Sequence, residues 1–274
     1  MYEKIILDDI NNDTLVNMIK MAYAFENWEQ VIFLSDNLLE ISTPNVNNKI
    51  KTQKPLIYYF GYSHLMKGLA LQKLKNYKES LKCVYLYSDL SWIDNSQKGQ
   101  YYINKFQTFA KANSYSLELL MGDRDKLPDY LDLIKMDPDE ILPGIITILE
   151  SALVHNFEID HEISQLISYI SEYDHQYRPV RIAYYLTAYY LLALYYCKRK
   201  NFANAIIYTL HNITESDKLN NDRYFKRSIA LFDVLKTHAS VLQITEYSHI
   251  LNSILRGVVE NEESFDFNSV VGLN

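Results

Sequence analysis

Three stretches of the chain share one local pattern, and that pattern constrains the fold more than any other feature. FENWEQVIFLSDNLLE, KLKNYKESLKCVYLYS and CKRKNFANAIIYTLHN each set an asparagine before an aromatic residue (Trp28, Tyr77, Phe202), with a short residue three positions later (Val31, Ser80, Ala205). Apolar residues recur on both sides at helical spacing, so each stretch reads as a break between two amphipathic helices.

The rest of the chain is punctuated in the same manner. Gly 7 and Pro 6 in 274 residues are too few for the frequent turns of a sandwich or barrel. Helices are predicted at 12–25, 28–41, 56–74, 77–90, 97–121, 125–135, 138–155, 161–173, 180–200, 201–216, 220–238 and 241–260. Pro138 is expected at the first helical position of its segment. Asp123 and Asp125 read as an interhelix turn with an Asp cap rather than as a catalytic carboxylate pair. Long helices with short breaks predict an all-α stack of hairpins over residues 1–260, with a C-terminal tail at 261–274 that frays.

Chemistry is harder to find. The seven histidines form no HExxH and no Cys/His metal spacing, and no phosphate-cradling or nucleophile-elbow motif occurs. The expectation is therefore no enzyme, no cofactor and no metal. Cys83 and Cys197 lie within apolar helical patterns and read as buried thiols in a reducing cytoplasm. The N-terminus lacks the apolar core of a signal peptide, and no apolar run reaches the roughly 18 residues of a membrane span. A net charge of −7 argues against a general nucleic-acid surface. Charge is nevertheless segregated: residues 49–82 carry eight lysines and one acid, 118–174 fourteen acids and three bases, and 178–227 nine bases and three acids. Basic arms of this kind suit an acidic segment or a carboxylate terminus.

The three joins resemble the helix-turn-helix unit of tetratricopeptide repeats, with Trp28, Tyr77 and Phe202 at repeat position 17 and Val31, Ser80 and Ala205 at position 20. The preceding helices supply Gly68 and Ala193 at position 8, where small residues let paired helices approach. The chain departs from the pattern at Lys67, at Ile19 and in lacking a repeat-ending proline. The resemblance implies a right-handed α-α superhelix of about six degenerate tetratricopeptide-like helix pairs. In that register the wall lining the groove carries Lys20 and Tyr23, then Tyr58, Tyr62, Leu65, Gln72 and Lys73, then Thr187, Tyr190 and Lys198. Such a wall can hydrogen-bond a peptide backbone while packing its side chains.

With 24 tyrosines and this length, the chain resembles the repeat domain of Gram-positive peptide-pheromone receptors: the Rgg, PlcR and NprR regulators, the Rap proteins and the phage arbitrium receptors. The resemblance implies the cytoplasmic regulatory domain of a transcriptional regulator, here without the helix-turn-helix domain, that binds a short peptide and forms a homodimer, with DNA contacted only through a separate N-terminal domain if one exists. The alternative is a protein-interaction scaffold or response-regulator antagonist without a small ligand.

Overall fold

A computed structural model of the protein describes residues 10–43, 53–94, 96–171 and 179–261. Among these residues it is all-α: α1 (Asn12–Ala24), α2 (Trp28–Ser42), α3 (Leu56–Lys73), α4 (Tyr77–Ser88), α5 (Gln97–Leu120), α6 (Leu127–Lys135), α7 (Ile141–His155), α8 (Asp160–Ser171), α9 (Pro179–Lys198), α10 (Phe202–Lys218), α11 (Asp222–Leu235) and α12 (Val241–Asn261). Single 3-10 turns at Arg124–Lys126 and Lys236–His238 precede α6 and α12. The chain divides into two compact units, one ending at Leu133 and one beginning at Ile134.

The repeated joins share one backbone device. Glu26, Lys75 and Lys200 adopt φ of 55°, 61° and 60°, and the following asparagine opens the next helix. The Asn76 N–H donates to the Leu71 carbonyl while the Lys75 N–H donates to Gln72, and the same two bonds recur at 26–27 and 200–201. This is the Schellman closure, which satisfies carbonyls left open at the end of a helix. The side chains of Asn27 and Asn201 then accept from the N–H groups of Gln30 and Asn204. One asparagine thus ends one helix and starts the next, leaving room for only a tight hairpin. The device also appears at Asn220-Asn221 and at Gly122-Asp123, where no aromatic residue follows.

In the first unit, neighbours in sequence are neighbours in space from α1 to α5. α3 lies between two cores. Its Tyr59, Met66 and Ala70 join Leu15, Ile19, Val31, Leu34 and Leu38 of α1 and α2. On its other side Ile57 and Phe60 join Val84, Tyr87, Leu90, Ile103 and Phe106. A helix flanked on both sides must be apolar around most of its circumference, as LIYYFGYSHLMKGLALQK is. Gly61 is required there, because a Cβ would lie 2.4 Å from the Phe106 ring.

In the second unit, α9 is the central helix, packed along α7 on one side and α10 on the other, and α10 is covered in turn by α11 and α12. Leu186, Ala188, Leu192 and Ala193 are fully buried. α8 covers the α7–α9 seam through Ile163, Leu166 and Ile170. α7 makes its main contact with α9 rather than with α8, and α6 adds little to α5, so these two pairs are looser than the others.

Pro138 does not begin a helix: residues 138–140 form a turn and α7 starts at Ile141. The Asp137 carboxylate accepts the Asp139 N–H, an Asx turn that holds the backbone out of the helix for three further residues. The tail expected to fray falls outside the described residues, apart from Asn261 at the end of α12.

Candidate functional site

The alternate helices α1, α3 and α5 place a series of tyrosines at the surface of the first unit. Tyr58 and Tyr62 stand four residues apart on α3, and their rings stack at 5.5 Å with 19° between planes. Tyr58 also meets the edge of Tyr102 of α5 at 5.6 Å. Burial, followed by the neighbouring Tyr58 and Tyr23 hydroxyls, holds the Tyr62 phenol well above its usual range. Tyr23, near the end of α1, is fixed edge-on against Trp28 at 5.2 Å. These side chains are half-buried, each packed on a neighbour yet reachable from solvent.

The segment preceding α3 is fixed from α1. The Asp13 carboxylate accepts the Tyr59 hydroxyl at 2.5 Å and the Gln53 N–H at 3.2 Å, and Tyr59 in turn accepts the Lys54 N–H. Because Tyr59 is fully buried, this network anchors the strand of chain that carries Lys54. The Lys54 ammonium lies 4.2 Å from the Tyr58 ring centroid, a cation–π contact. Beside it an open surface depression is lined by Gln53, Lys54, Pro55, Lys98, Tyr101 and Tyr102, most of them exposed.

Of the residues expected to line a groove, Tyr23, Tyr58 and Tyr62 come together in this cluster. Lys20 and Lys73 are exposed on α1 and α3, and Leu65 packs into the α3–α5 core. Gln72 donates to the Ser116 hydroxyl of α5 at 3.4 Å and so ties two helices together. Thr187, Tyr190 and Lys198 lie in the second unit, on α9. The Thr187 hydroxyl bonds to the Ala183 carbonyl and the Tyr224 hydroxyl, and Lys198 donates to the Leu153 carbonyl of α7. Both side chains therefore serve the helix packing. Tyr190 meets Tyr224 at 6.0 Å, and Arg227 lies over both rings.

Lys54, Lys98, Tyr101 and Tyr102 border this cluster and lie outside the positions that the repeat register marks. That register depends on an aromatic after the turn, whereas the Gly122-Asp123 turn that follows α5 is succeeded by Arg124. The turn conformation itself would have registered α5, since Gly122 has φ of 104° and Asp123 caps the next turn.

The second unit also holds a closed aromatic cluster between α9 and α10. Tyr185 hydrogen-bonds His211 at 2.9 Å, Tyr189 lies 4.1 Å from the same ring, and Tyr196 stacks on Tyr208 at 5.5 Å. Burial drives the Tyr196 phenol up to about 12, so these phenols are neutral packing groups at ordinary pH. Cys83 is buried, with its thiol held above its usual range by burial, while Cys197 is only half-buried. No group of three His, Cys, Asp or Glu with metal-binding geometry occurs among the described residues, and no helix there is long and apolar enough to cross a membrane. No family model matches the sequence, and comparison with curated proteins and with solved structures returns no match.

Proposed function

We propose that this chain is a peptide-binding regulatory domain, with the tyrosine face of α1, α3 and α5 as its recognition surface. The carrying observation is the cluster of Tyr58, Tyr62 and Tyr102 on two successive odd-numbered helices, with Lys54 over Tyr58 at its edge. Half-buried tyrosines offer rigid apolar area and a polar tip at low entropic cost, which suits an extended peptide better than a compact polar metabolite. The similarity of the three joins to tetratricopeptide repeats supports the same reading. In the regulator so proposed, bound peptide changes the packing between successive hairpins, and repeat stacks pass such changes from neighbour to neighbour.

A homodimer accompanies this reading. Val234 on α11 and Val241 and Leu242 on α12 are 72%, 80% and 81% exposed, apolar side chains that a second copy would cover. Light scattering on the purified chain tests the dimer.

Titration of the protein with a pool of random octapeptides, followed by Tyr58→Ala and Tyr62→Phe, tests the binding surface. Retention of peptide with weakening by Tyr58→Ala supports it. Capture of a folded protein partner with no retention of peptide favours the scaffold reading instead.

A further inference from the structure

We infer that the apolar pocket under α8 is a separate binding site, one that takes a small uncharged hydrocarbon-like molecule, with α8 as the cover that lifts to admit it. The pocket lies within the second unit and does not depend on the peptide-binding reading. α8 supplies Ile163, Leu166 and Ile170 to its wall, and α7 and α9 supply only isoleucine and leucine, Leu192 among them. Each of these side chains is 6% exposed or less, and no polar atom is exposed inside the pocket. They leave a void of about 10 Å³. A water of that size would find no hydrogen-bond partner there, and space of this kind stays dry and accepts apolar molecules. A hydroxyl or a charge on the guest would likewise go unpaired, so the pocket selects a small ring or a short alkyl chain.

A void of that size admits a larger guest only if a wall moves, and α8 is the wall with the least to hold it. Its start is fixed to α9. The buried Tyr195 hydroxyl accepts the Ile159 N–H at 3.0 Å and donates to the Asp160 carboxylate at 3.2 Å, and Arg199 pairs with Glu158 at 2.9 Å. Lys135 donates to Gln165 at 2.7 Å, still within the first half of α8. From Leu166 onward the described contacts with α7 and α9 are aliphatic, whereas α7 and α9 are closely packed on each other. Rotation about Asp160 therefore parts Leu166 and Ile170 from α7 and leaves the Tyr195 bonds in place. A segment held by a few apolar contacts opens at lower free energy than the helices beneath it.

The test labels the isoleucine δ1 methyls of the intact chain with carbon-13 and titrates it with toluene and, separately, with phenol, which has a similar shape but carries a hydroxyl. Toluene is expected to shift Ile145, Ile148, Ile163 and Ile170 saturably and to leave Ile19, Ile57 and Ile103 of the first unit unmoved. It should bind about tenfold more tightly than phenol, or more, because the phenol hydroxyl loses its water partners. Leu166→Ala enlarges the pocket and should tighten toluene binding about tenfold. Ile163→Phe fills it and should abolish the shifts. Circular dichroism checks that both variants fold, and Leu166→Ala carries the comparison if Ile163→Phe does not. Amide hydrogen exchange in the second half of α8 should be faster than in α7 and should slow when toluene is bound. The site is overturned by unmoved pocket methyls, by equal shifts in both units, by equal affinity for phenol, or by toluene binding seen only in Leu166→Ala. Exchange in α8 as slow as in α7 overturns the lifting cover. None of these outcomes bears on the peptide surface, which its own titration tests.

Discussion

The Ser80 hydroxyl donates to the Gly68 backbone carbonyl at 2.7 Å, joining α4 to α3 where the two helices come closest. A Cβ at Gly68 would lie 3.2 Å from the Cys83 Cβ and 3.6 Å from the Ser80 carbonyl. Both residues are buried, so the hydroxyl has no water to replace this partner. Ser80→Ala is expected to cost about 1 kcal/mol in urea unfolding. Gly68→Leu should cost about 2–3 kcal/mol or more by forcing the helices apart. Gly68→Ala should be close to neutral, because a tight contact opposes the gain in helix propensity.

The hairpin joins make a second prediction. Lys75 and Lys200 sit at positive φ, where a Cβ is unfavourable and glycine is not. Lys75→Gly and Lys200→Gly are each expected to stabilise the chain by about 0.5–1 kcal/mol, read as a rise in melting temperature. The asparagines that follow should differ from each other. Asn201 accepts the Asn204 N–H, whereas the Asn76 side chain makes no cap hydrogen bond. Asn201→Ala should therefore cost about 1 kcal/mol and Asn76→Ala less.

His64 gives the chain an acid-sensitive point. It is buried, its Nδ1 has no hydrogen-bond partner, and its ring packs edge-on to Phe60 at 4.8 Å. Burial, assisted by Lys67, lowers it to about 4. Above roughly pH 6.5 the imidazole is neutral folded and unfolded, and its contribution is fully present. As pH falls from there to about 4, only the unfolded chain takes up the proton. Stability should then drop by up to about 3 kcal/mol. Unfolding midpoints of the wild type and His64→Phe, compared between pH 7.5 and 4.5, should diverge, with the variant less acid-sensitive.

Asp13 holds the Gln53–Lys54 segment against α1, directly and through Tyr59. Asp13→Asn keeps an acceptor for the Tyr59 hydroxyl but loses its charge, whereas Asp13→Ala leaves a buried hydroxyl without that partner. The alanine variant is expected to lose about 1–3 kcal/mol of stability. The asparagine variant should restore most of that loss.

The sequence by itself determined the helices and their joins. Helical periodicity and the Asn-aromatic breaks are local, and the closures at Lys75-Asn76 and Lys200-Asn201 lie where the pattern places them. Gly68 facing Ser80 follows from the same register, since the turn fixes which positions of two adjoining helices meet. Only the tertiary structure decided which tyrosines share a surface. Tyr58 and Tyr102 are forty-four positions apart and meet through the packing of α3 against α5. Thr187 and Lys198, polar residues in the expected register, are instead held by Tyr224 and by the Leu153 carbonyl. A helical face can be read from spacing, but whether it is left to a ligand depends on what the neighbouring helices bring against it, and those contacts are not local in the chain.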